Sequence, residues 1–388
     1  MRKILQILPS LENSGGGVER GSLDIAKALA ERGFNSYLLS SGGDMAEKYK
    51  HKGVKNLYLP LKKKSVFSII KLRSDFIKII EDLKPDLVHI RSRWPAFCFN
   101  SILKKLEIPF VTTYHGTYSG NENFIKRSYN KVMVEGNKVI AISDFIRSQI
   151  LKFFPSVKNK LVTINRGIDT RYFNIKSINQ ERKLNVFKDL KFLDSQHIIL
   201  LPGRLTRWKG HEVAIKAAKI MRELRPELNF LFLFVGSHQS RERYKTLLTE
   251  KVREKRLDNN VIFTGLRMDM PAIYALADVV LSTSLEPEAF GRVSGEAASM
   301  SKPVIATDIG ASNDIIKDNQ TGWLVKPDNE RELAEKILEV INITQEKKDL
   351  VGKNARLRIE KFFNLEAMLD KTINLYEQII SKKPGISN

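Results

Sequence analysis

Short apolar runs alternate with amphipathic stretches along the whole chain. In the first half, RKILQIL (2–8), DLVHIRS (86–92), PFVTTYHG (109–116) and KVIAISD (138–144) have the length of buried strands, and LDIAKALAERG (23–33) has helical periodicity. The rhythm returns after residue 195, with HIILLPG (197–203), the helical HEVAIKAAKIMREL (211–224) and LNFLFLFVG (228–236). Strands that alternate with helices predict parallel sheets covered by helices. We therefore expect an α/β protein with two doubly wound domains.

The segment 62–83 predicts an amphipathic helix with an unusually wide apolar stripe. Its stripe contains Ile69, Leu72, Phe76, Ile79, Ile80 and Leu83, and lysines and arginines surround it. Such a helix either packs its stripe on a sheet or lies in a membrane interface. Both interpretations stay open at this stage, because an exposed edge of a packed helix can also contact lipid.

Three segments carry candidate chemistry, and the first is SGGGVERGSLDIAKALAERG (14–33). Glycines between a strand and a helix let a ligand approach the backbone, and a helix N-terminus offers free N–H groups to phosphate. The dinucleotide fingerprint G-x-G-x-x-G fails here because Arg20 stands where its last glycine belongs. The segment therefore favours a phosphate-bearing ligand but not a nicotinamide cofactor.

The second segment, LLPGRLTRWKGHEVAIKAA (200–218), places Gly203 and Arg204 at the end of a strand and Lys209 just before a helix. Ligands of open α/β sheets bind outside the carboxyl ends of the strands, so the two cations can converge on a diphosphate. The third segment, SLEPEAFGRVSGEAAS (284–299), contains Glu288 and Glu296 with seven residues between them, as expected for a loop that ends at the start of a helix. Carboxylates there can accept hydrogen bonds from sugar and ribose hydroxyls, and the N–H groups of Phe290, Gly291 and Arg292 can donate.

These motifs, in this order, resemble the retaining family 4 glycosyltransferases (glycosyl transferases group 1), which have the GT-B fold. The resemblance covers essentially the whole chain and includes GGxE, HG, SxxxR, GRLxxxKG, FxG and E-x7-E. It implies two Rossmann-like domains facing a central cleft. The implied domains are 1–170 for the acceptor and 171–362 for the nucleotide-sugar donor, with 363–388 as a helix that crosses back to the first domain.

The resemblance also implies roles for individual residues. Gly16 and Gly17 would face the donor phosphate and the acceptor, and His115 would lie near the transferred sugar. Ser143 and Arg147 would shape the floor of the cleft. In the donor domain, the diphosphate would be held by Gly203, Arg204 and Lys209, and the base would be received by Leu266 with Gly265. Glu288 would bind the sugar and Glu296 the ribose. The backbone of Phe290, Gly291 and Arg292 would also bind the donor.

Such an enzyme is a hexosyltransferase that retains configuration and works without a metal or another cofactor, its nucleotide-sugar donor being a substrate. The sequence agrees in one respect, because it has no Asp-x-Asp pair to hold Mg²⁺ against a diphosphate. The expected acceptor is a glycan or a lipid-linked glycan of cell-surface polysaccharide or lipopolysaccharide biosynthesis. Two alternatives remain: a nucleotide-sugar epimerase of the same fold, and a basic nucleic-acid-binding protein.

The charge of the chain bears on its partners. The formal net charge is +21, and residues 1–168 contain 29 lysines and arginines against 14 acidic residues, whereas residues 169–388 contain 36 against 30. This excess in the first half favours an anionic partner such as the surface of an acidic membrane. Nucleic acid is not expected, because the sequence shows no zinc spacing or other signature of such proteins. With one cysteine and no apolar run typical of a signal peptide, the expected location is the cytoplasm, with peripheral association at the inner face of the membrane.

Overall fold

The chain folds into two compact units in a computed structural model that describes residues 1–12, 17–48, 50–62, 66–118, 120–190, 196–239 and 241–382. The first unit comprises residues 1–165 together with 366–388, and the second comprises residues 166–365. Helices and strands are numbered below in chain order through both units.

A seven-stranded parallel sheet forms the centre of the first unit, in the order β3-β2-β1-β4-β5-β6-β7. The chain builds outward from β1 to one edge and then returns to β4 and builds toward the other. Its strands are β1 (Lys3–Ile7), β2 (Asn35–Ser40), β3 (Val54–Tyr58), β4 (Leu87–Ile90), β5 (Phe110–Tyr114), β6 (Lys138–Ala141) and β7 (Leu161–Thr163). Its helices are α1 (Gly17–Glu31), α2 (Asp44–Lys48), α3 (Val66–Leu83), α4 (Arg93–Lys105), α5 (Phe124–Lys131), α6 (Asp144–Phe153) and the last helix of the chain, α15 (Leu365–Ile380).

The second unit has a six-stranded parallel sheet in the order β10-β9-β8-β11-β12-β13. Its strands are β8 (His197–Pro202), β9 (Phe230–Val235), β10 (Val261–Gly265), β11 (Val279–Ser282), β12 (Val304–Thr307) and β13 (Trp323–Val325). Its helices are α7 (Gln180–Leu190), α8 (His211–Leu224), α9 (Glu242–Glu254), α10 (Met270–Leu276), α11 (Arg292–Ser299), α12 (Ser312–Ile315), α13 (Glu330–Asn342) and α14 (Gln345–Phe362). Two parallel doubly wound sheets confirm the predicted α/β fold class.

The strand β9 shows why its sequence folds in this way. All six residues of FLFLFV are buried, as expected for a central strand of a parallel sheet with helices on both faces. Phe230, Phe232 and Phe234 alternate along the strand on one face and contact one another edge to face, with ring centroids 5.9 Å and 6.4 Å apart. This continuous apolar run anchors the sheet whose carboxyl edge carries the candidate donor residues.

The predicted helix over 62–83 is α3, and its stripe packs within the first unit. Leu72, Phe76 and Ile80 are buried, and the ring of Phe76 stacks on Phe99 of α4 at 3.9 Å. Ile70, by contrast, is 81% exposed. This agrees with the first interpretation of the segment, in which the apolar stripe of the helix packs inside its own domain.

The last helix, α15, belongs to the first unit and is held there by a buried polar network. Tyr376 contacts His89 Nδ1 through its hydroxyl at 2.5 Å, and His89 Nε2 lies 2.6 Å from Thr113 Oγ1. Arg32 and Asp370 form a further ion pair. Burial lowers the pKa of His89 well below its usual value, and the charge of Arg91 lowers it further, so the ring is neutral. His89 therefore has a structural role.

None of the helices that the structure describes combines the length and the hydropathy that a membrane-spanning segment needs.

Candidate active site

The turn after β8 carries the two predicted diphosphate ligands and is held by a close backbone contact. Residues Arg207–Lys209 form a 3-10 turn, and Gly210 follows it with a φ of 72°. A Cβ at position 210 would lie 1.9 Å from the carbonyl oxygen of Thr283, at the end of β11. Leu285 N–H donates to the carbonyl of Trp208 at 2.7 Å. Only glycine therefore fits at position 210, and its absent side chain lets two loops of the carboxyl edge lie directly against each other.

Lys209 and Glu288 form an ion pair between these two loops. Lys209 Nζ lies 2.7 Å from Glu288 Oε1, and each side chain is 12% exposed. Ser284 Oγ donates to the same carboxylate oxygen, and Lys209 Nζ also lies 4.3 Å from the centre of the Trp208 ring. In the part of the chain that the structure describes, both hydrogen bonds to this carboxylate end on Oε1. Oε2 is thus oriented by the pair and available to a ligand hydroxyl.

The loop 309–311 supports Glu288 from behind. Ala311 N–H donates to the carbonyl of Glu288 at 2.9 Å. Gly310 has a φ of 62°, and a Cβ there would lie 2.7 Å from the backbone N and O of Glu288. Thr307 Oγ1 donates to the carbonyl of Ser284 at 2.7 Å. The backbone at Glu288 is therefore fixed by loops after two neighbouring strands, β11 and β12, which suits a preorganised binding residue.

Glycines at the ends of three neighbouring strands open the edge of the sheet next to Arg204. Gly203 N–H donates to the carbonyl of Val235, and Gly236 N–H donates to the carbonyl of Gly265 at 2.9 Å. A Cβ at Gly236 would lie 1.8 Å from the carbonyl oxygen of Gly203, whereas one at Gly265 would meet no atom within 4 Å. Backbone polar groups at this edge can therefore be approached closely by a ligand.

The remaining predicted diphosphate and base contacts lie along this glycine-lined edge. Arg204 is exposed, and its Nη1 donates to Gln239 Oε1 at 3.3 Å. Leu266 is 60% exposed and directly follows Gly265. The edge thus presents one cation and an accessible backbone segment on neighbouring strands of one sheet.

Glu296 lies on α11 and is held by two side chains. Tyr274 Oη donates to Oε2 at 3.0 Å, and Arg292 Nε donates to Oε1 at 2.5 Å. Burial raises the pKa of Tyr274 well above its usual value, with the charge of Glu296 as the second cause, so the phenol keeps its proton and remains a donor. Each carboxylate oxygen retains a lone pair for a ligand hydroxyl. Tyr274 could not be assigned from the sequence, because it lies in the apolar helix MPAIYAL with no local signal of a polar role.

The start of α11 matches the predicted turn. Gly291 is the N-cap residue with a φ of 75°, and α11 begins at Arg292. Phe290 is only 5% exposed, and its ring lies 6.1 Å from that of Phe363. The Phe290 side chain is therefore part of the core, and any contact with a ligand is left to its backbone.

His211 is the first residue of α8 and lies beneath the Lys209 turn. It is fully buried, and its ring contacts Phe234 edge to face at 5.3 Å. Burial lowers the pKa of His211 to about 3; the charge of Lys209 lowers it further, and the carbonyl of Thr206 acts in the opposite direction. The neutral ring fixes the turn without adding a charge below the candidate diphosphate site.

The first unit carries the other predicted site residues at the carboxyl edge of its own sheet. Gly17 is the first residue of α1, and Gly16 lies outside the described residues. His115 directly follows β5 and is half-buried. Ser143 caps α6 by accepting from Ile146 N–H at 3.1 Å, and Arg147 Nη1 donates to the carbonyl of Leu161 at 3.2 Å. Ser143 thus holds the β6–α6 turn and Arg147 connects α6 to the start of β7, and their predicted contribution to the floor of the cleft stays a prediction.

Arg91, at the end of β4, is a residue of this edge that sequence reasoning did not assign. It is 5% exposed, and its Nη1 donates to Gln6 Oε1 at 3.1 Å. Burial lowers its pKa to about 10, while Tyr376, Asp24 and Glu19 raise it. Its position directly after a buried strand was the one available signal.

Within the described ranges, no group of three or more His, Cys, Asp and Glu side chains is arranged to hold a metal ion.

The fold and the residues at the carboxyl edges of the two sheets agree with a known class of protein. The model for Glycosyl transferases group 1 matches residues 183–358, and the model for Glycosyltransferase Family 4 matches residues 15–172. The chain therefore belongs to the group 1, family 4 glycosyltransferases and has the GT-B fold. It is a glycosyltransferase, which answers the choice that the sequence left open among a transferase, an epimerase and a nucleic-acid-binding protein.

Individual relatives agree over nearly the whole chain. A glycosyltransferase from Rickettsia africae ESF-5 is 31% identical and has a TM-score of 0.90, covering 98% of this chain and 99% of that one. The capsular polysaccharide biosynthesis glycosyltransferase CapM of Staphylococcus aureus is 23% identical over 381 residues, 94% of this chain and 95% of that protein. Anabaena Alr3699/HepE, solved in complex with UDP and glucose, has a TM-score of 0.83 at 21% identity, covering 97% of this chain and all of that one.

Proposed function

We propose that this protein is a retaining, metal-independent hexosyltransferase that moves a sugar from a nucleotide-sugar donor to a glycan or lipid-linked acceptor of cell-surface polysaccharide or lipopolysaccharide biosynthesis. The observation that carries the proposal is the partly buried Lys209–Glu288 pair, at 2.7 Å, beside Arg204 and the three strand-end glycines. A cation for a diphosphate and a carboxylate for sugar hydroxyls are thereby held in contact. The donor thus binds to the second unit.

The chemistry assigned to these residues is electrostatic. As the sugar leaves the nucleoside diphosphate, negative charge grows on the diphosphate oxygens, and Arg204 and Lys209 stabilise it more than they stabilise the bound donor. The acceptor hydroxyl attacks the anomeric carbon from the face that the diphosphate leaves, and its proton passes to the departing diphosphate. Configuration is retained. Neither step assigns a covalent bond to the protein.

Glu296 selects the ribose in this proposal. Its two oxygens are oriented by Tyr274 and Arg292 and accept from the two ribose hydroxyls. The complex of UDP with Alr3699/HepE, a relative of the same fold, makes uridine diphosphate sugars the first donors to test. The name of CapM supports an acceptor in polysaccharide biosynthesis. The positive charge of residues 1–168 supports cytoplasmic action at an anionic membrane surface.

The donor site is tested by thermal shift of the protein against a panel of nucleoside diphosphates and nucleotide sugars. A ligand at about 100 times its Kd stabilises the folded state by about 2.7 kcal/mol, which corresponds to a melting temperature higher by about 5–10 °C for a unit of this size. Arg204→Ala and Glu296→Ala are expected to abolish the response. Arg331→Ala, which removes an exposed cation of α13, is the matched control and keeps it. A full response in Arg204→Ala and Glu296→Ala would refute the assignment.

The reaction itself is tested with the nucleotide sugar that stabilises the protein. Release of nucleoside diphosphate in the presence of EDTA, and a product with the anomeric configuration of the donor by NMR, are the expected results. An inverted product, or activity that disappears with EDTA and returns with Mg²⁺, would contradict the proposal.

A further inference from the structure

The short helix α5 of the first unit presents its two aliphatic and phenyl side chains to solvent and buries an asparagine instead. Phe124 and Ile125, consecutive at its start, are 81% and 77% exposed, whereas Asn130 near its end is fully buried. An ordinary surface helix has the opposite arrangement, because its apolar stripe faces the core. Exposed large apolar side chains that adjoin one another mark an interaction site, whereas single ones do not.

Polar contacts account for the buried side of α5. Asn130 Nδ2 donates to Asn121 Oδ1 at 2.8 Å, and Arg93 Nη1 donates to Asn130 Oδ1 at 2.8 Å. Tyr114 Oη also lies 3.4 Å from the carbonyl of Asn130. The helix is therefore anchored to β5 and α4 through its C-terminal half. Its orientation is determined by these bonds, and the exposure of Phe124 and Ile125 follows from it.

The apolar pair is not isolated on the surface. Phe97 of α4 is 47% exposed, and its ring contacts Tyr129 of α5 edge to face at 5.6 Å. The exposed basic residues of α5 are Lys126, Arg127 and Lys131. We call Phe97, Phe124 and Ile125 with these three basic residues the α5 patch. Its composition, large apolar side chains among cations with no acidic residue in α5, is typical of a surface that inserts into an interface of anionic lipid.

We infer that the α5 patch is a docking site for the surface of a membrane containing anionic lipid. Phe124 and Ile125 enter the headgroup region, and the basic residues contact the lipid phosphates. Charge complementarity supports a membrane over another copy of this chain, since residues 1–168 have about twice as many basic as acidic residues and would repel a second cationic copy.

The position of the patch connects it to the acceptor. Tyr114, the last residue of β5 and the neighbour of His115 in the chain, has its hydroxyl 3.4 Å from the carbonyl of Asn130 in α5. A membrane bound at α5 therefore lies beside the edge of the first unit to which His115 belongs. If the proposed function holds, a lipid-linked acceptor would reach this edge without leaving the membrane.

Binding to vesicles tests the inference without donor or acceptor. Wild-type protein is expected to co-sediment with vesicles of about 70% phosphatidylcholine and 30% phosphatidylglycerol at about 150 mM salt, and not with phosphatidylcholine alone. The double variant Phe124→Ser/Ile125→Ser is expected to bind these vesicles at least about tenfold more weakly than the wild type. Leu357→Ser, at a 52% exposed position of α14 in the second unit, is the matched control and should bind as the wild type does.

A second variant separates α5 from the other candidate helix. Ile70→Ser removes an apolar residue of α3 that is 81% exposed, and we expect it to leave vesicle binding unchanged. The inference is overturned if the α5 double variant binds as the wild type does, or if the wild type does not bind anionic vesicles. A wild-type dimer in sedimentation velocity that the double variant converts to a monomer also overturns it, because the patch would then bind a second copy. The thermal shift with nucleotide is measured on the same variants: it is retained if only docking is lost, and its failure in the wild type would refute the proposed donor site alone.

Discussion

Acidification is expected to destabilise the second unit through His211. Its pKa is about 3 in the fold, against 6.5 for an ordinary histidine. A base whose pKa is lowered by folding binds more protons when unfolded, so stability is complete above pH 6.5 and is lost as the pH falls from there toward 3. At pH 5, about 1.5 units below the pKa of an unfolded histidine, protonation of this histidine stabilises the unfolded state by about 2 kcal/mol. For a unit of this size, that lowers the melting temperature by about 4–8 °C.

Differential scanning calorimetry of the wild type and His211→Leu at pH 7.5 and pH 5.0 measures this contribution. All other titrating groups are common to both proteins, so the difference between their two pH-induced shifts isolates His211. We expect the variant to lose about 4–8 °C less than the wild type on acidification, even if it is less stable at both pH values.

Phe234→Leu serves as the packing control. It removes the ring that contacts His211 but keeps the imidazole, so its stability should fall while its pH-induced shift stays close to that of the wild type. If His211→Leu and the wild type lose the same number of degrees on acidification, His211 is protonated in the fold at pH 5 and the reasoning from its burial is wrong.

Three further predictions concern the candidate donor site. Lys209→Met is expected to lower kcat by about 10²–10³, because a group that stabilises the leaving diphosphate is lost; steady-state kinetics with kcat unchanged would contradict this role. Tyr274→Phe removes one donor to Glu296 and should weaken nucleotide binding by about tenfold, or about 1.4 kcal/mol, in calorimetric titration, whereas equal affinity would separate Tyr274 from the ribose. Arg182 binds Asp269 through two hydrogen bonds of 3.0 Å and 2.5 Å and so connects α7 to the segment after Leu266. Asp269→Asn should reduce the preference among nucleotide bases, and the swap Arg182→Asp/Asp269→Arg should partly restore it. An unchanged ranking of bases in Asp269→Asn would refute that link.

Strand-forming segments were predictable because their apolar runs are long and continuous. HIILLPG, LNFLFLFVG and KVIAISD each contain a strand of the structure, and all six residues of β9 are buried. The βα turns that carry Arg204, Lys209 and Glu288 were predictable for a related reason, since parallel sheets bring the carboxyl ends of their strands to one edge. Helix α3 was predictable as a helix, and whether its stripe is packed or exposed was not.

Contacts between residues distant in the chain were not predictable from local pattern. Lys209 and Glu288 were assigned to separate ligand groups, and only the folded edge shows them as an ion pair. Tyr274 appears in the sequence as one apolar residue among others, and its role depends on Glu296 lying opposite its hydroxyl. The exposure of Phe124 depends likewise on polar bonds of Asn130 to Asn121 and Arg93.

Residue types and their order were sufficient to predict the fold class, the alternation of strands and helices, the location of the glycine turns and the excess of positive charge in the first half. Each of these follows from residue type and short-range spacing, which act wherever the segment lies. Which charges pair, which polar groups are buried and which apolar side chains remain at the surface became visible only in the folded structure. These outcomes depend on distances between segments far apart in the chain, and burial sets both the strength of a charge interaction and the pKa of a group such as His211.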